Sequence, residues 1–151
     1  MIATIATDMD VSAETVWAAV KRVDTFFYVT RGALGLSVAG GPPVEFRAGQ
    51  VMRGRLLLFG VVPLWRHDLH LVRVDDARRE LYSNECGGPL RAWNHRITVE
   101  PTGADRCRYT DAVEIDAGPL TPLVWVVAQG FFRYRQSRLR RLLRAGAMRR
   151  G

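Results

Sequence analysis

One histidine and one isolated carboxylate stand out among the residues whose types could do chemistry near neutral pH. His95 and Asp111 fall on two strand-like segments joined by a short turn, and each shares a face with apolar residues. A carboxylate among apolar neighbours needs a partner. A histidine beside a carboxylate can act as a general acid or base. His95 and Asp111 are therefore the candidate catalytic residues, and the sequence leaves open whether any catalysis occurs.

A single arginine interrupts an otherwise apolar stripe near the end of the chain. Arg135 lies in the middle of a gap of eight residues, where helical periodicity places it at the centre of the stripe. The stripe is formed by Val124, Ala128, Phe131, Leu139 and Leu142. We expect Arg135 to meet Asp111, directly or through water, between a helix and a sheet. Such a pair would either hold the polar end of a ligand or only fasten the helix to the sheet.

Alternation along the strand-like segments indicates which other side chains face the interior, because residues of one parity share a face. The more apolar parity also carries aromatic and histidine side chains. The predicted ligand-binding residues are Trp65, His67, Trp93, His95, Tyr109, Asp111, Phe131 and Arg135. An alternative interpretation makes His67 and His95 core residues, each satisfied by a neighbour such as Asp111 or Tyr109.

Metal and cofactor chemistry are not indicated. Cys86 and Cys107 lack the spacing of a zinc knuckle or a disulfide framework. His67 and His70 point to opposite faces of a strand, and no third ligand accompanies His67 and His95. Glycine-rich phosphate loops and serine-hydrolase elbows do not occur either. We therefore expect no metal and no cofactor, and the absence of these motifs argues against a hydrolase or a nucleotide enzyme.

The elements that must position these residues can be predicted from periodicity and turn signals. A strand over 2–8 precedes two short helices, the first capped by Ser12 and the second over 24–30. A loop-rich stretch with one short strand follows. Strands are then predicted over 49–59, 64–75, 79–86, 91–101 and 106–116, and a long helix over 119–144.

Short links between consecutive strands imply an antiparallel meander. The predicted fold class is α+β: a helix-grip fold in which a curved antiparallel sheet of about six to seven strands wraps around a long C-terminal α-helix. Such a packing leaves room for a cavity between the helix and the sheet.

Composition indicates one globular domain. The chain has 151 residues, of which 48% are hydrophobic and 25% are charged. We expect a single domain over 1–146 and a frayed basic tail over 147–151. Neither an apolar stretch of about 20 residues nor a secretory signal is seen, so a cytoplasmic location is expected.

Positive charge is concentrated at the end of the chain. The net charge is +7, and residues 131–151 contain eight arginines and no acid. Residues 1–130 contain 14 basic and 15 acidic residues. This distribution argues against a uniformly basic nucleic-acid-binding domain. The arginine-rich helix is either a solvated face or a docking site for RNA, the ribosome or an anionic membrane.

Several segments resemble the START-like superfamily, also known as the polyketide cyclase/dehydrase and lipid-transport (SRPBCC) or Bet v 1-like superfamily. They are VSAETVW at 11–17, RAWNH at 91–95, RYTDAVEID at 108–116 and YRQSRL at 134–139, with Gly118 before the helix. The resemblance to uncharacterised bacterial members covers nearly the whole chain and implies the helix-grip fold.

The resemblance leaves three functions open, because one fold supports many activities. The first is binding of a small hydrophobic molecule, such as a lipid, a quinone or a polyketide. The second is a polyketide cyclase or dehydratase that uses His95 and Asp111 as acid and base. The third is an interaction protein whose arginine-rich helix binds RNA, the ribosome or an anionic membrane. The oligomeric state is not predicted.

Overall fold

A computed structural model describes residues 1–150, with the side chains of 147, 148 and 150 excluded. The chain begins with strand β1 (Ile2–Met9), followed by helices α1 (Ala13–Val20) and α2 (Val23–Thr30). Ser12 caps α1, because its Oγ accepts a hydrogen bond from the backbone N–H of Thr15 at 3.3 Å. The predicted strand and both short helices are confirmed.

Six more strands complete one antiparallel sheet. They are β2 (Leu34–Val38), β3 (Val51–Leu58), β4 (Val62–Asp75), β5 (Glu80–Gly87), β6 (Leu90–Gly103) and β7 (Arg106–Asp116). The strand order is β1-β7-β6-β5-β4-β3-β2, so β1 pairs with the last strand and the others follow the chain. The predicted meander is confirmed.

The long helix differs from its predicted bounds at both ends. A short 3-10 turn (Gly118–Leu120) comes first, and helix α3 spans Thr121–Arg150. The Thr121 hydroxyl accepts a hydrogen bond from the N–H of Ala117 at 2.9 Å and donates one to the Gly118 carbonyl at 2.7 Å. The helix continues beyond residue 144 because alanine, methionine and arginine are good helix formers. A frayed tail was expected over 147–151. The side chains of 147, 148 and 150 and the whole of residue 151 lie outside the described residues.

Helix α3 packs against β1, β7 and α2, which completes the α+β helix-grip fold. The inner face of the sheet meets the helix in two apolar clusters. The larger one includes Cys107 and Tyr109 of β7 and Leu139 of α3. The smaller one includes Val113 and Ile115 of β7, with Ala128 and Phe132 of α3. Asp111 lies between the two clusters on the same strand face. A polar layer therefore separates two apolar cores.

No helix of the described residues is long and apolar enough to cross a membrane.

Candidate functional site

A cavity of about 650 Å³ lies between the sheet and the helices α2 and α3. Its walls are mostly apolar and include Leu36 of β2, Leu58 of β3 and Val124 of α3. Phe59, Leu123 and Val127 also line it and are more than 60% exposed. The cavity therefore opens between the β3–β4 hairpin and the first turns of α3.

Six of the eight predicted ligand-binding residues line this cavity: Trp65, His67, Trp93, His95, Phe131 and Arg135. The other two lie deeper. Tyr109 lines an adjoining pocket of about 40 Å³, which also contacts His95 and Arg135. Asp111 is fully buried behind His95 and lines neither space. Any contact between Asp111 and a ligand would therefore pass through His95.

Asp111 forms the centre of a buried hydrogen-bond network. Its Oδ1 contacts the Nε2 of His95 at 2.8 Å and accepts from the Tyr109 hydroxyl at 3.1 Å. Its Oδ2 accepts from the Nε2 of Gln136 at 2.9 Å, and the same amide donates to the Ile5 carbonyl at 2.8 Å. The interpretation of His95 as a histidine satisfied by Asp111 is confirmed. His95 nevertheless faces the cavity, and its Nδ1 is the ring nitrogen left for a ligand.

A second histidine–carboxylate pair lies beside the first. The Nε2 of His67 contacts the Oε2 of Glu85 at 3.0 Å, and the Ser83 hydroxyl donates to the Oε1 of Glu85 at 2.9 Å. Ser83 is paired with His95 across β5 and β6, which brings the two networks together. We call the combined set the polar belt. It consists of His67, Ser83, Glu85, His95, Tyr109, Asp111 and Gln136.

Both carboxylates of the polar belt are held ionised. Burial acts to raise the pKa of Asp111, but the hydrogen bond with His95 and the charges of Arg135 and His95 together hold that pKa below its ordinary value. Burial opposes ionisation of Glu85 as well, and His67 and His95 outweigh it, so the pKa of Glu85 is also lowered. Burial and the charge of Asp111 raise the pKa of Tyr109 well above its usual range, so Tyr109 stays a neutral donor.

The expected direct contact between Asp111 and Arg135 is not present. Arg135 influences Asp111 through its charge, but within the described residues no hydrogen bond or ion pair joins them. Gln136 takes the place predicted for Arg135, because the buried line of the helix runs through Ala128, Phe132 and Gln136. Arg135 instead lies among aromatic rings, with its guanidinium carbon 5.3 Å from the Phe132 ring centre.

Three members of the polar belt were not predicted from the sequence: Ser83, Glu85 and Gln136. Glu85 shares its strand parity with Leu81 and Ser83, both of which are buried, so alternation along β5 carried the signal. Gln136 lies four residues after Phe132, which is one helical turn along the buried face. None of the three residue types is unusual by itself, since serine, glutamate and glutamine are mostly exposed in folded proteins.

Three polar groups near the cavity are buried without a partner among the described residues: the Nε1 of Trp65, the Nδ1 of His67 and the Nε of Arg135. Buried polar groups of folded proteins are nearly always satisfied, so each of these is unusual. Within the described part of the chain, no three side chains of metal-ligand type lie close enough to hold a metal ion.

Known structures share this architecture. Norcoclaurine synthase from Thalictrum flavum, solved in complex with dopamine and hydroxybenzaldehyde, superposes with a TM-score of 0.72 at 17% sequence identity, covering 95% of this chain and 86% of that one. A START superfamily protein from Mycobacterium smegmatis superposes with a TM-score of 0.68 at 13% identity, covering 92% and 94% of the two chains. The resemblance to the START-like, or Bet v 1-like, fold is thereby confirmed.

The sequence also matches one protein-family model. The model described as "Domain of unknown function (DUF8410)" matches residues 7–143. No curated protein sequence matches the chain.

Proposed function

The chain belongs to the family DUF8410, and we propose that it binds a small hydrophobic molecule in the cavity between the sheet and α3. The cavity itself carries the proposal. Its volume of about 650 Å³ lies within the range of small-molecule sites, which is roughly 300–1,000 Å³. Protein interiors are otherwise close-packed, with few voids larger than a water molecule. A sequence selected for stability alone would fill such a space with side chains.

The distribution of polarity in the walls supports an amphipathic ligand. Leucine and aromatic side chains form most of the lining, whereas His67, Glu85, His95 and Arg135 supply the polar groups. Apolar area would provide most of the affinity, and a few polar groups would orient the molecule. Phe59, Leu123 and Val127 form an exposed apolar rim at the opening of the cavity. A hydrophobic ligand could enter along this rim while remaining in contact with apolar side chains.

Two valines of α3 provide a matched test. Val124 lines the cavity, whereas Val126 is 61% exposed and does not line it. In Val124→Trp the indole would occupy ligand volume, so the affinity for a neutral apolar dye such as Nile red should fall at least about tenfold. Val126→Trp should stay within about twofold of wild type, as surface changes usually do. The affinities are measured by dye fluorescence, and circular dichroism verifies that both variants fold.

Native mass spectrometry of the protein purified from its own host provides the second arm of this test. A stoichiometric hydrophobic adduct that Val124→Trp abolishes would identify the ligand class. Equal dye affinities in the two variants, together with a protein free of any adduct, would overturn the proposal.

The polar belt favours one alternative, an enzyme of the cyclase or dehydratase type. His95 lines the cavity while Asp111 fixes its Nε2, an arrangement suited to proton transfer through Nδ1. Incubation of candidate polyketide-like substrates with wild type and His95→Gln would distinguish the two functions. Loss of one water from the substrate that depends on His95 would establish an enzyme. Binding that returns the small molecule with the same mass and the same chromatographic retention would support a carrier, because ring closure alone changes the retention but not the mass.

A further inference from the structure

Arg135 is a buried cation without a hydrogen-bond acceptor. Its exposed fraction is 8%, and its Nε has no hydrogen-bond partner in the part of the chain that the structure describes. Within the described residues, the guanidinium takes part in no hydrogen bond and no ion pair. The guanidinium lies among three rings, with its carbon 5.9 Å from the centre of Phe26, 5.8 Å from Phe131 and 5.3 Å from Phe132. Ring faces attract the cation but accept none of its five N–H groups in strong hydrogen bonds.

The nearby carboxylates do not meet this demand. Asp111 already accepts from Tyr109 and Gln136 and contacts His95, and Glu85 is bound by His67 and Ser83. Both oxygens of each carboxylate are therefore engaged. The other charged and titratable groups facing this region are Glu85, Asp111, His67, His95, Tyr109 and Tyr134, and none of them forms a hydrogen bond or an ion pair with Arg135 among the described residues.

The position of Arg135 directs its unused donors toward the ligand space. Arg135 lines the large cavity together with Phe26 and Phe131, and it lines the small pocket as well. The rings exclude water from the sides of the guanidinium, so an acceptor within the cavity would be bound in a medium of low polarity. Charge-assisted hydrogen bonds are strong in such surroundings.

We infer that Arg135 anchors a carboxylate, so that the ligand of this cavity is a hydrophobic carboxylic acid. The inference rests on the proposed function and assigns its ligand class. A carboxylate matches the planar fork of a guanidinium and can accept two parallel hydrogen bonds. A monoanion also suits this wall better than a doubly charged phosphate, because Glu85 and Asp111 are already ionised close by.

The test compares how tightly the wild-type protein binds an acid and the alcohol with the same carbon skeleton. Dodecanoic acid and 1-dodecanol, together with 2-naphthoic acid and 2-naphthalenemethanol, are compared as competitors of Nile red at pH 8, where both acids are ionised. In at least one pair the acid should bind about tenfold more tightly than its alcohol. Equal affinity of acid and alcohol in both pairs would overturn the inference and leave the proposed function standing. Failure of all four compounds and of the dye to bind would overturn both.

Two arginines of the same helix provide matched variants. Arg135→Gln removes a buried charge, whereas Arg133→Gln removes an exposed charge. Both substitutions change the net charge of the protein by the same amount. Arg135→Gln should abolish the preference for acid while the alcohol still binds, and Arg133→Gln should retain that preference. A preference that survives Arg135→Gln would overturn the inference. If Arg135→Gln fails to fold, the wild-type comparison decides. Dodecyl phosphate is the remaining competitor, and tighter binding of it than of dodecanoic acid would overturn the choice of carboxylate.

Discussion

At the scale of single residues, Asp111 is the most demanding feature of this protein. It is a fully buried charge between two apolar clusters, and three side chains from β6, β7 and α3 satisfy it. A buried ion pair is weak evidence for stability, since desolvation offsets much of the attraction. Removal of one partner lowers the free energy of unfolding strongly, because it leaves the remaining buried polar groups without hydrogen bonds. The network therefore makes the packing of α3 on the sheet depend on one carboxylate.

Removal of this carboxylate should strongly destabilise the fold. Asp111→Ala leaves Tyr109, His95 and Gln136 without their shared acceptor, so we expect a loss of about 3–5 kcal/mol in the free energy of unfolding. Asp8→Ala is the control, because Asp8 pairs with Arg108 on the exposed face across β1 and β7. Exposed pairs contribute little, so the control should change stability only slightly. Urea denaturation measures both, and similar losses would contradict this account of Asp111.

The lowered pKa values of Asp111 and Glu85 also predict a pH dependence of stability. A carboxyl whose pKa is lower in the folded state stabilises that state above its unfolded pKa, which is about 4, and this contribution is lost as the pH falls through the folded value. The free energy of unfolding should therefore decrease as the pH falls below about 4. In Glu85→Gln this decrease should be smaller than in wild type. An identical pH profile for the two proteins, measured by urea titration, would contradict the role of Glu85.

Prediction at this scale succeeded where a residue type was conspicuous in its setting. Histidine and aspartate on apolar strand faces identified His95 and Asp111, and alternation placed both correctly. Ser83, Glu85 and Gln136 were missed because such residue types are common on surfaces, and only their position in the strand or helix repeat places them in the interior. The helix residue that bonds to Asp111 was predicted one position too early, as Arg135 instead of Gln136, since one step along a helix rotates a side chain by about 100°.

At the scale of elements, the turn between α2 and β2 is fastened to the long helix. The Tyr134 hydroxyl donates to the Arg31 carbonyl at 2.5 Å, and Gly32 next to it has a φ of +91°. A Cβ at Gly32 would lie 2.9 Å from that hydroxyl. Tyr134 also lines the cavity, so this contact fixes one wall of the binding site. Glycine is required here both for its backbone conformation and for the close approach of the tyrosine.

Two glycine substitutions separate these requirements. Gly40 also has a positive φ, +79°, but a Cβ there would meet nothing within 4 Å. Gly40→Ala should therefore cost about 1–2 kcal/mol, the strain of the left-handed conformation alone. Gly32→Ala should cost clearly more, because it must also displace the Tyr134 hydroxyl. Thermal unfolding of both variants measures the difference, and equal losses would show that the tyrosine contact contributes nothing.

The order and number of elements could be predicted because each carries its own local signal. Alternation marks the strands, and the short turns between them dictate antiparallel neighbours. The ends of α3 were less predictable, since weak breakers such as Gly146 do not stop a helix rich in alanine and arginine. The volume of the cavity cannot be predicted from sequence patterns, because it depends on the distance between α3 and the sheet along the whole helix.

At the scale of the whole molecule, fewer arginine side chains of α3 are accessible to a partner than the composition implies. Arg135 is buried, and the Nε of Arg138 donates to the Tyr28 carbonyl at 2.9 Å while its guanidinium carbon lies 4.5 Å from the Tyr28 ring centre. Arg140 donates to the Thr7 hydroxyl. Arg138 and Arg140 thereby fasten the helix to the body of the protein, so replacing these two would disturb the fold as well as the charge.

Among the described side chains after residue 140, Arg141, Arg144 and Arg149 are exposed, and an anionic partner could reach them. About three contacts predict weak binding to single-stranded RNA, with a logarithmic salt slope near −2, because each neutralised phosphate contributes roughly −0.7. Arg141→Gln combined with Arg144→Gln should reduce that slope to about −0.7, the value for the one contact that remains at Arg149, and leave stability unchanged. Arg138→Gln combined with Arg140→Gln should lower stability instead, since both side chains bond to other elements. Fluorescence anisotropy across a salt series and urea denaturation measure the two effects. A slope much steeper than −4 that survives loss of Arg141 and Arg144 would indicate a dedicated nucleic-acid surface elsewhere on the protein.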